Sequence, residues 1–168
     1  MIAFLITGLF SDPSYAVSVQ DLKLAAEYTK DNGKALESPD PRIIIKYYEL
    51  REPVKQDIEL RLYVAFIYIV MDRDEIPVQL RIVREVWEKL STGNVKITQE
   101  FVADQDLDGN VDSGHACIQI QTKESEILEY IDKDLSEINA QSMLDGTIAL
   151  MVKRLGLNNM KIWRRLTC

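Results

Sequence analysis

Alternation of apolar and polar residues predicts four β-strands in this chain. The clearest case is residues 57–66, where every second residue from Ile58 to Phe66 is apolar, so these side chains would line one face of a strand. The same period, with many β-branched and aromatic residues, occurs over residues 42–51, 94–103 and 116–122. Neighbouring segments are close in sequence, and the pattern therefore predicts two hairpins.

Apolar residues at helical spacing predict helices in the rest of the chain. The strongest stripe runs from Ile82 to Leu90 and follows Pro77, which would stand in the first turn. The predicted helices cover residues 19–30, 74–92, 122–138 and 143–155. Within the last one, residues 147–152 also fit a strand, although we interpret them as helical.

Together these elements predict an α+β domain. Its antiparallel sheet would have about four strands in two hairpins, with helices packed on it in the order ββα followed by ββαα. If residues 147–152 form a strand instead, the order becomes βαββαβ, which is a ferredoxin-like sandwich.

The two ends of the chain differ from this central domain, which we place at residues 17–156. Residues 1–10 are uncharged and mostly apolar, and Ser14 and Ala16 supply the small residues that a signal peptidase reads. We therefore expect residues 1–16 to be a signal peptide and the mature protein to be periplasmic or extracellular. A cytoplasmic protein, in which this segment is a core element, is the alternative.

The charge balance limits the classes of partner that the protein is expected to bind. The 168 residues carry a net charge of −7, which argues against nucleic acid, and the mature chain has no apolar run long enough to span a membrane. Residues 151–168 reverse the sign, with five basic residues and no acidic one. The tail at residues 157–168 would dock on an acidic protein partner or fold back on the domain itself.

One acidic segment, residues 104–112, combines residue type and spacing in a way that suggests a ligand. It resembles an EF-hand-type calcium loop, in which oxygens from alternate positions surround the ion and a glycine makes the sharp turn. The predicted metal ligands are Asp104, Asp106, Asp108, the carbonyl of Asn110, and Asp112, with Gly109 at the turn. The resemblance implies that Ca²⁺ is bound and orders the loop.

Two features depart from the EF-hand pattern. His115 occupies the place of the bidentate Glu, and a neutral imidazole is a poor ligand for a hard cation. The segment before the loop alternates like a strand, whereas an EF-hand has a helix there. We therefore expect a modest affinity in a fold that is not an EF-hand.

These observations favour a small exported binding or assembly module without catalytic activity. His115 is the only histidine, no nucleophile–base pair accompanies the loop, and no glycine-rich phosphate motif indicates a nucleotide cofactor. We predict no catalytic residues and no cofactor besides Ca²⁺. A metal-dependent hydrolase that uses the aspartates and a cytoplasmic ferredoxin-like regulatory domain are the alternatives. Pairing of Cys117 with Cys168 stays open.

Overall fold

A computed structural model describes residues 16–157 of the chain. The predicted signal peptide and the predicted basic tail lie outside the described residues, apart from Ala16 and Leu157, and Cys168 also lies outside them. The elements are α1 (Val19–Asn32), β1 (Lys34–Leu36), β2 (Ile43–Lys55), β3 (Ile58–Met71), β4 (Asp74–Lys89), β5 (Val95–Asp104), β6 (Ser113–Gln121), β7 (Ile127–Asp134) and α2 (Glu137–Arg154).

The strands form one antiparallel sheet of seven strands, and each strand pairs with the next one in sequence. The prediction of about four strands in two hairpins is therefore wrong, and so is the ferredoxin-like alternative, because no described helix interrupts the run from β1 to β7. Helices stand only before and after the sheet in the described chain, so the predicted order of ββα followed by ββαα is also wrong.

Both helices begin at a serine cap. The Ser18 hydroxyl accepts a hydrogen bond from the Asp21 N–H and the Asp21 carboxylate accepts one from the Ser18 N–H, which is a capping box. Ser136 caps α2 through the N–H of Asn139. Residues 147–152 lie within α2, as predicted. Neither described helix is long and apolar enough to cross a membrane.

The two helices pack on the same face of the sheet and form the main core with it. Alternate residues of β3 point to that face, and Val64, Phe66 and Tyr68 are fully buried there. The buried Tyr68 hydroxyl donates to the Ala26 carbonyl at 2.6 Å, which fixes α1 on the strand. Leu144, Ile148 and Met151 of α2 join the same cluster. We call this the helix face and the opposite one the open face.

The predicted helix over residues 74–92 is wrong, because this segment is β4. Its apolar residues fit helical spacing because both faces of the strand carry apolar groups. Leu80 and Ile82 are buried on the helix face, whereas Val83 lies opposite Tyr63 on the open face. Pro77 sits beside a register shift between Ile67 and Tyr68, where a missing N–H is tolerated.

The predicted helix over residues 122–138 is also wrong. Its central part is β7, an edge strand whose eight residues are all exposed, and only its last residues enter α2. As in β4, the strand has apolar residues on both faces, and their spacing in the sequence also fits a helical stripe. The short strand β1 lies between the predicted helix over residues 19–30 and the predicted strand over residues 42–51, where no strand was predicted.

Candidate metal centre

The acidic loop joins β5 to β6 at the end of the sheet where the helices meet it. Asp104 is the last residue of β5 and pairs with Leu80 on the helix face, so its side chain points toward the helices and is fully buried. The loop then turns back through two left-handed residues, Leu107 with φ 58° and Gly109 with φ 94°. This geometry wraps the loop around the Asp104 carboxylate.

Three of the five predicted ligands come together in this loop. One carboxylate oxygen from each of Asp104, Asp106 and Asp108 lies within 4.8 Å of the others, so the three groups could hold a metal ion. Each of these carboxylates also accepts a main-chain hydrogen bond from further along the loop, and the donor to Asp106 Oδ1 is the Asp108 N–H at 3.3 Å. The Gly109 N–H donates to Asp104 Oδ2 at 3.0 Å, and the Asn110 N–H donates to Asp108 Oδ1 at 2.7 Å.

The second oxygen of Asp104 is the unusual feature of the site. Oδ1 is buried and has no hydrogen-bond partner in the described part of the chain. A buried carboxylate oxygen without a partner destabilises the fold, because it has lost its water without gaining a donor. A cation between the three carboxylates would supply the missing partner.

The two ends of the cluster have opposite electrostatic environments. Burial raises the pKa of Asp104, and repulsion from Asp108 adds to that, although the nearby main-chain N–H groups oppose it. In contrast, hydrogen bonds from the Asn110 amide side chain, at 2.9 Å, and from the Asn110 main chain lower the pKa of the exposed Asp108. Protons therefore compete with a cation more strongly at the buried Asp104 than at the exposed Asp108.

The remaining predicted ligands, Asn110 and Asp112, serve the loop in other ways. The Asn110 side chain donates to Asp108, and its main-chain carbonyl stays a predicted ligand. Asp112 closes the neck of the loop: its Oδ2 accepts from the Gln105 N–H at 2.6 Å, and its own N–H donates to the Ala103 carbonyl. Asp112 is not part of the three-carboxylate cluster.

His115 lies away from the loop. It pairs with Phe101 in the register of β5 and β6, which places it on the open face, and its Nε2 is 3.2 Å from Asp132 Oδ1 on β7. Asp104 points to the other face of the same sheet. His115 therefore does not stand where the bidentate Glu of an EF-hand loop would bind.

Comparison with known proteins identified no relative of this chain. No family model, curated protein or solved structure matches the chain. Interpretation of the loop therefore depends on its own geometry.

Sequence reasoning missed Gln141, the residue that attaches the loop to α2. Its Oε1 accepts from the Val111 N–H at 3.0 Å, and its Nε2 donates to the Gly109 carbonyl at 2.8 Å. The same Nε2 donates to Asp145 Oδ1, which also accepts from the Val17 N–H, at 3.1 Å in both cases. One amide side chain thus joins the loop to α2 and, through Asp145, to the start of α1.

Gly109 also contacts the segment before α1. A Cβ on this glycine would lie 3.4 Å from the Val17 carbonyl oxygen and 3.5 Å from its Cγ1, so the turn packs directly beneath Val17. No spacing rule in the sequence brings Val17, Gly109 and Gln141 together, because only the folded sheet does so. The loop is therefore a junction between the sheet and both helices.

Two cavities lie at different distances from the loop. One of about 400 Å³ borders it, lined by residues 111–114 and the beginning of α2, including Gln141. The other, of about 610 Å³, lies at the opposite end of the strands, between the turns that hold Asp57, Gly93 and Lys123. An ion in the loop would therefore be remote from the larger cavity.

Proposed function

We propose that the loop of residues 104–112 binds Ca²⁺ and that the ion holds the sheet and the two helices together in a non-catalytic binding or assembly module. The observation that carries this proposal is the buried Asp104 Oδ1 without a described partner, in a cluster with the carboxylates of Asp106 and Asp108. A cation would satisfy this oxygen and reduce the repulsion among the three charges.

The chemistry of the ligands favours calcium over other divalent ions. All the groups in the cluster are oxygens, which suits a hard cation, whereas zinc and copper sites use nitrogen or sulfur ligands. Mg²⁺ requires a tight octahedral shell and loses its water reluctantly, whereas Ca²⁺ accepts irregular sets of oxygens. The two exposed carboxylates and the Asn110 carbonyl would supply such a set, completed by water.

The affinity should be modest because the loop has no bidentate carboxylate at its far end. His115 stands on the open face, and Asp112 is held by the Gln105 N–H. Loops with incomplete ligand sets have dissociation constants on the order of 10⁻⁴ to 10⁻³ M, as in extracellular calcium modules. Such a site is filled outside the cell and empty in the cytosol, which is consistent with the predicted export.

The predicted cleavage would also change the contact between Val17 and Asp145. Cleavage after Ala16 would convert the Val17 main-chain nitrogen, which is 3.1 Å from Asp145 Oδ1, into a charged amino group. The existing hydrogen bond would then become an ion pair next to the metal loop. Mass spectrometry of protein isolated from its native cell should find Val17 as the first residue, whereas an intact Met1 would contradict export.

Thermal unfolding with and without calcium tests the function. At ten times the dissociation constant, Ca²⁺ should stabilise the native protein by about 1.4 kcal/mol and raise the Tm by a few degrees, with little effect from equimolar Mg²⁺. Asp104→Asn should abolish the shift, and Asp74→Asn, which removes the same charge from another turn, should preserve it. Equal shifts in the two variants would refute the site.

A further inference from the structure

The outer edge of β7 has no described partner. β7 is the last strand of the sheet, and the exposed fractions of its four large apolar side chains are between 46% and 55%. These side chains are Ile127, Leu128, Tyr130 and Ile131. An edge strand presents free N–H and C=O groups, and native proteins usually protect such edges with proline, bulges or very short strands. The opposite edge, β1, has only three residues. In contrast, β7 has eight, and its one register shift lies near its start, where Ile120 and Gln121 pair with Glu129 and Ile127.

The charges on β7 are complementary to themselves in one antiparallel register. If two copies of β7 run antiparallel with Ile131 opposite Ile131, Glu129 of each copy lies opposite Lys133 of the other. Tyr130 then lies opposite Asp132 of the other copy, next to the hydrogen bond that its hydroxyl already donates to Asp132 of its own strand at 2.8 Å. By symmetry the pair of Glu129 and Lys133 occurs twice.

Neighbouring registers lose this complementarity. Centring the pair on Asp132 places two aspartates opposite each other, and centring it on Tyr130 places Glu129 opposite Ile131. A shift by one residue brings Glu129 opposite either Asp132 or Asp134, depending on its direction. The Ile131 register is therefore the one in which Glu129 meets a charge of opposite sign.

In this register the paired side chains of the two copies also lie on the same face of the sheet. Ile131 and Lys133 pair with Ile118 and Ala116 of β6, so Glu129, Ile131 and Lys133 all point to the helix face. A two-fold axis perpendicular to the sheet keeps the helix faces of both copies on the same side, so each Glu129 and its Lys133 partner share a face.

We propose that β7 pairs with β7 of a second copy of this chain, giving a symmetric dimer with one sheet continuous through both subunits. The contact is centred on Ile131 and its register is set by Glu129 and Lys133. The occupant is a second copy because the strand's own charge pattern supplies the complement. This inference does not depend on the proposed calcium site.

Charge reversal combined with analytical ultracentrifugation tests the dimer. Full-length protein is measured over a range of concentrations with chelator and reductant present, so neither calcium nor a disulfide contributes. Glu129→Lys and Lys133→Glu should each weaken the dimer by about tenfold or more, because two attractive pairs become repulsive. Glu124→Lys, an exposed residue before β7, is the matched control and should change nothing.

Two combinations of these charge reversals test whether Glu129 and Lys133 pair across the dimer. The double variant with both reversals should dimerise as the wild type does, because each pair again joins opposite charges. Mixing the two single variants should give a heterodimer, because the lysine introduced in one chain then meets the glutamate introduced in the other. Circular dichroism checks that every variant is folded. A wild type that stays monomeric at all concentrations, or a dimer that the single reversals leave unchanged, would overturn the proposal.

Discussion

Two acidic turns in the described part of the chain differ in the roles of their carboxylates. The turn between β3 and β4 has Asp72 and Asp74 around Arg73, and all three residues are exposed. Its conformation comes from the backbone, since Asp72 and Arg73 have φ of 50° and 76°, as two-residue hairpin turns require. In the loop between β5 and β6, Asp104 is buried, holds the Gly109 N–H with one oxygen and leaves the other without a described partner.

This difference shows that negative charge alone is a poor sign of a metal site. Exposed carboxylates such as Asp72 and Asp74 are solvated and need no ion. A buried carboxylate oxygen that no described donor reaches is different, because water no longer stabilises it. The proposed cation site therefore depends mainly on one atom, Asp104 Oδ1, together with the two exposed carboxylates beside it.

The largest effect should come from Asp104→Ala. In calcium, the change removes the inner ligand and leaves the Gly109 N–H without its acceptor, which should lower the free energy of unfolding by about 2–3 kcal/mol and eliminate calcium binding. In chelator the loss should be smaller, because the change also removes the buried Oδ1 that has no described partner. Asp74→Ala should change the free energy of unfolding by less than about 0.5 kcal/mol. Urea unfolding in chelator and in calcium measures both quantities. Equal losses in the two variants would remove the distinction between the turns.

Gln141→Ala should have the next largest effect. Its side chain bonds both the Val111 N–H and the Gly109 carbonyl, and losing these bonds should lower the free energy of unfolding by about 1–2 kcal/mol. Because the loop then loses its attachment to α2, calcium affinity should fall several-fold. Ser142→Ala, an exposed change on the same helix, is the control. Unchanged affinity in Gln141→Ala would mean that the loop holds its shape without the helix.

Alanine substitutions at two glycines distinguish the effect of backbone strain on stability from its effect on the proposed calcium site. Gly109 and Gly93 have φ of 94° and 86°, so alanine at either position should destabilise the protein by about 1 kcal/mol. Gly109 lies inside the acidic loop, and a Cβ there would be 3.4 Å from the Val17 carbonyl oxygen, which is an ordinary contact. Gly93 lies in another turn, where a Cβ would be 3.0 Å from the flexible end of Lys123. Calorimetric titration should find weaker calcium binding in Gly109→Ala alone. Similar binding in both variants would contradict the role of Val17 and Gly109 as a junction.

The smallest effect concerns pH. Because the pKa of Asp104 is raised in the folded protein, the metal-free form binds a proton more tightly than the unfolded chain does. This group therefore adds stability as the pH falls from above its raised pKa toward the ordinary carboxyl pKa of about 3.9, and calcium affinity weakens over the same window. Titrations at neutral and mildly acidic pH should show this loss of affinity, and Asp74→Asn should leave the pH dependence unchanged.

The sequence alone predicted what depends on local spacing. The apolar stripes of α1 and α2, and the aspartates at alternate positions of the loop, are short-range patterns, and the structure brings Asp104, Asp106 and Asp108 together. The strand that enters the loop was also predicted from alternation, and β5 confirms it.

What depends on the whole sheet was not predictable. In β4, Ile82 and Val83 face opposite sides of a sheet that has apolar groups on both faces. The apolar residues of such a strand no longer alternate with polar ones, so their pattern in the sequence can also match the spacing of a helix. Gln141 contacts a loop that lies 30 residues earlier than itself, and no local pattern reports that contact. His115 fitted the loop by its position in the sequence, but the pleat of β6 places it on the other face from Asp104.

An NMR titration of the amide resonances with Ca²⁺ compares the two turns in a single sample. If Asp104 Oδ1 binds the ion, the Gly109 and Val111 amides should shift and saturate with a Kd on the order of 10⁻⁴ to 10⁻³ M, while the Asp72 and Asp74 amides stay in place. Loop amides that do not move at several times that concentration, or shifts of equal size in both turns, would contradict a calcium site in the loop.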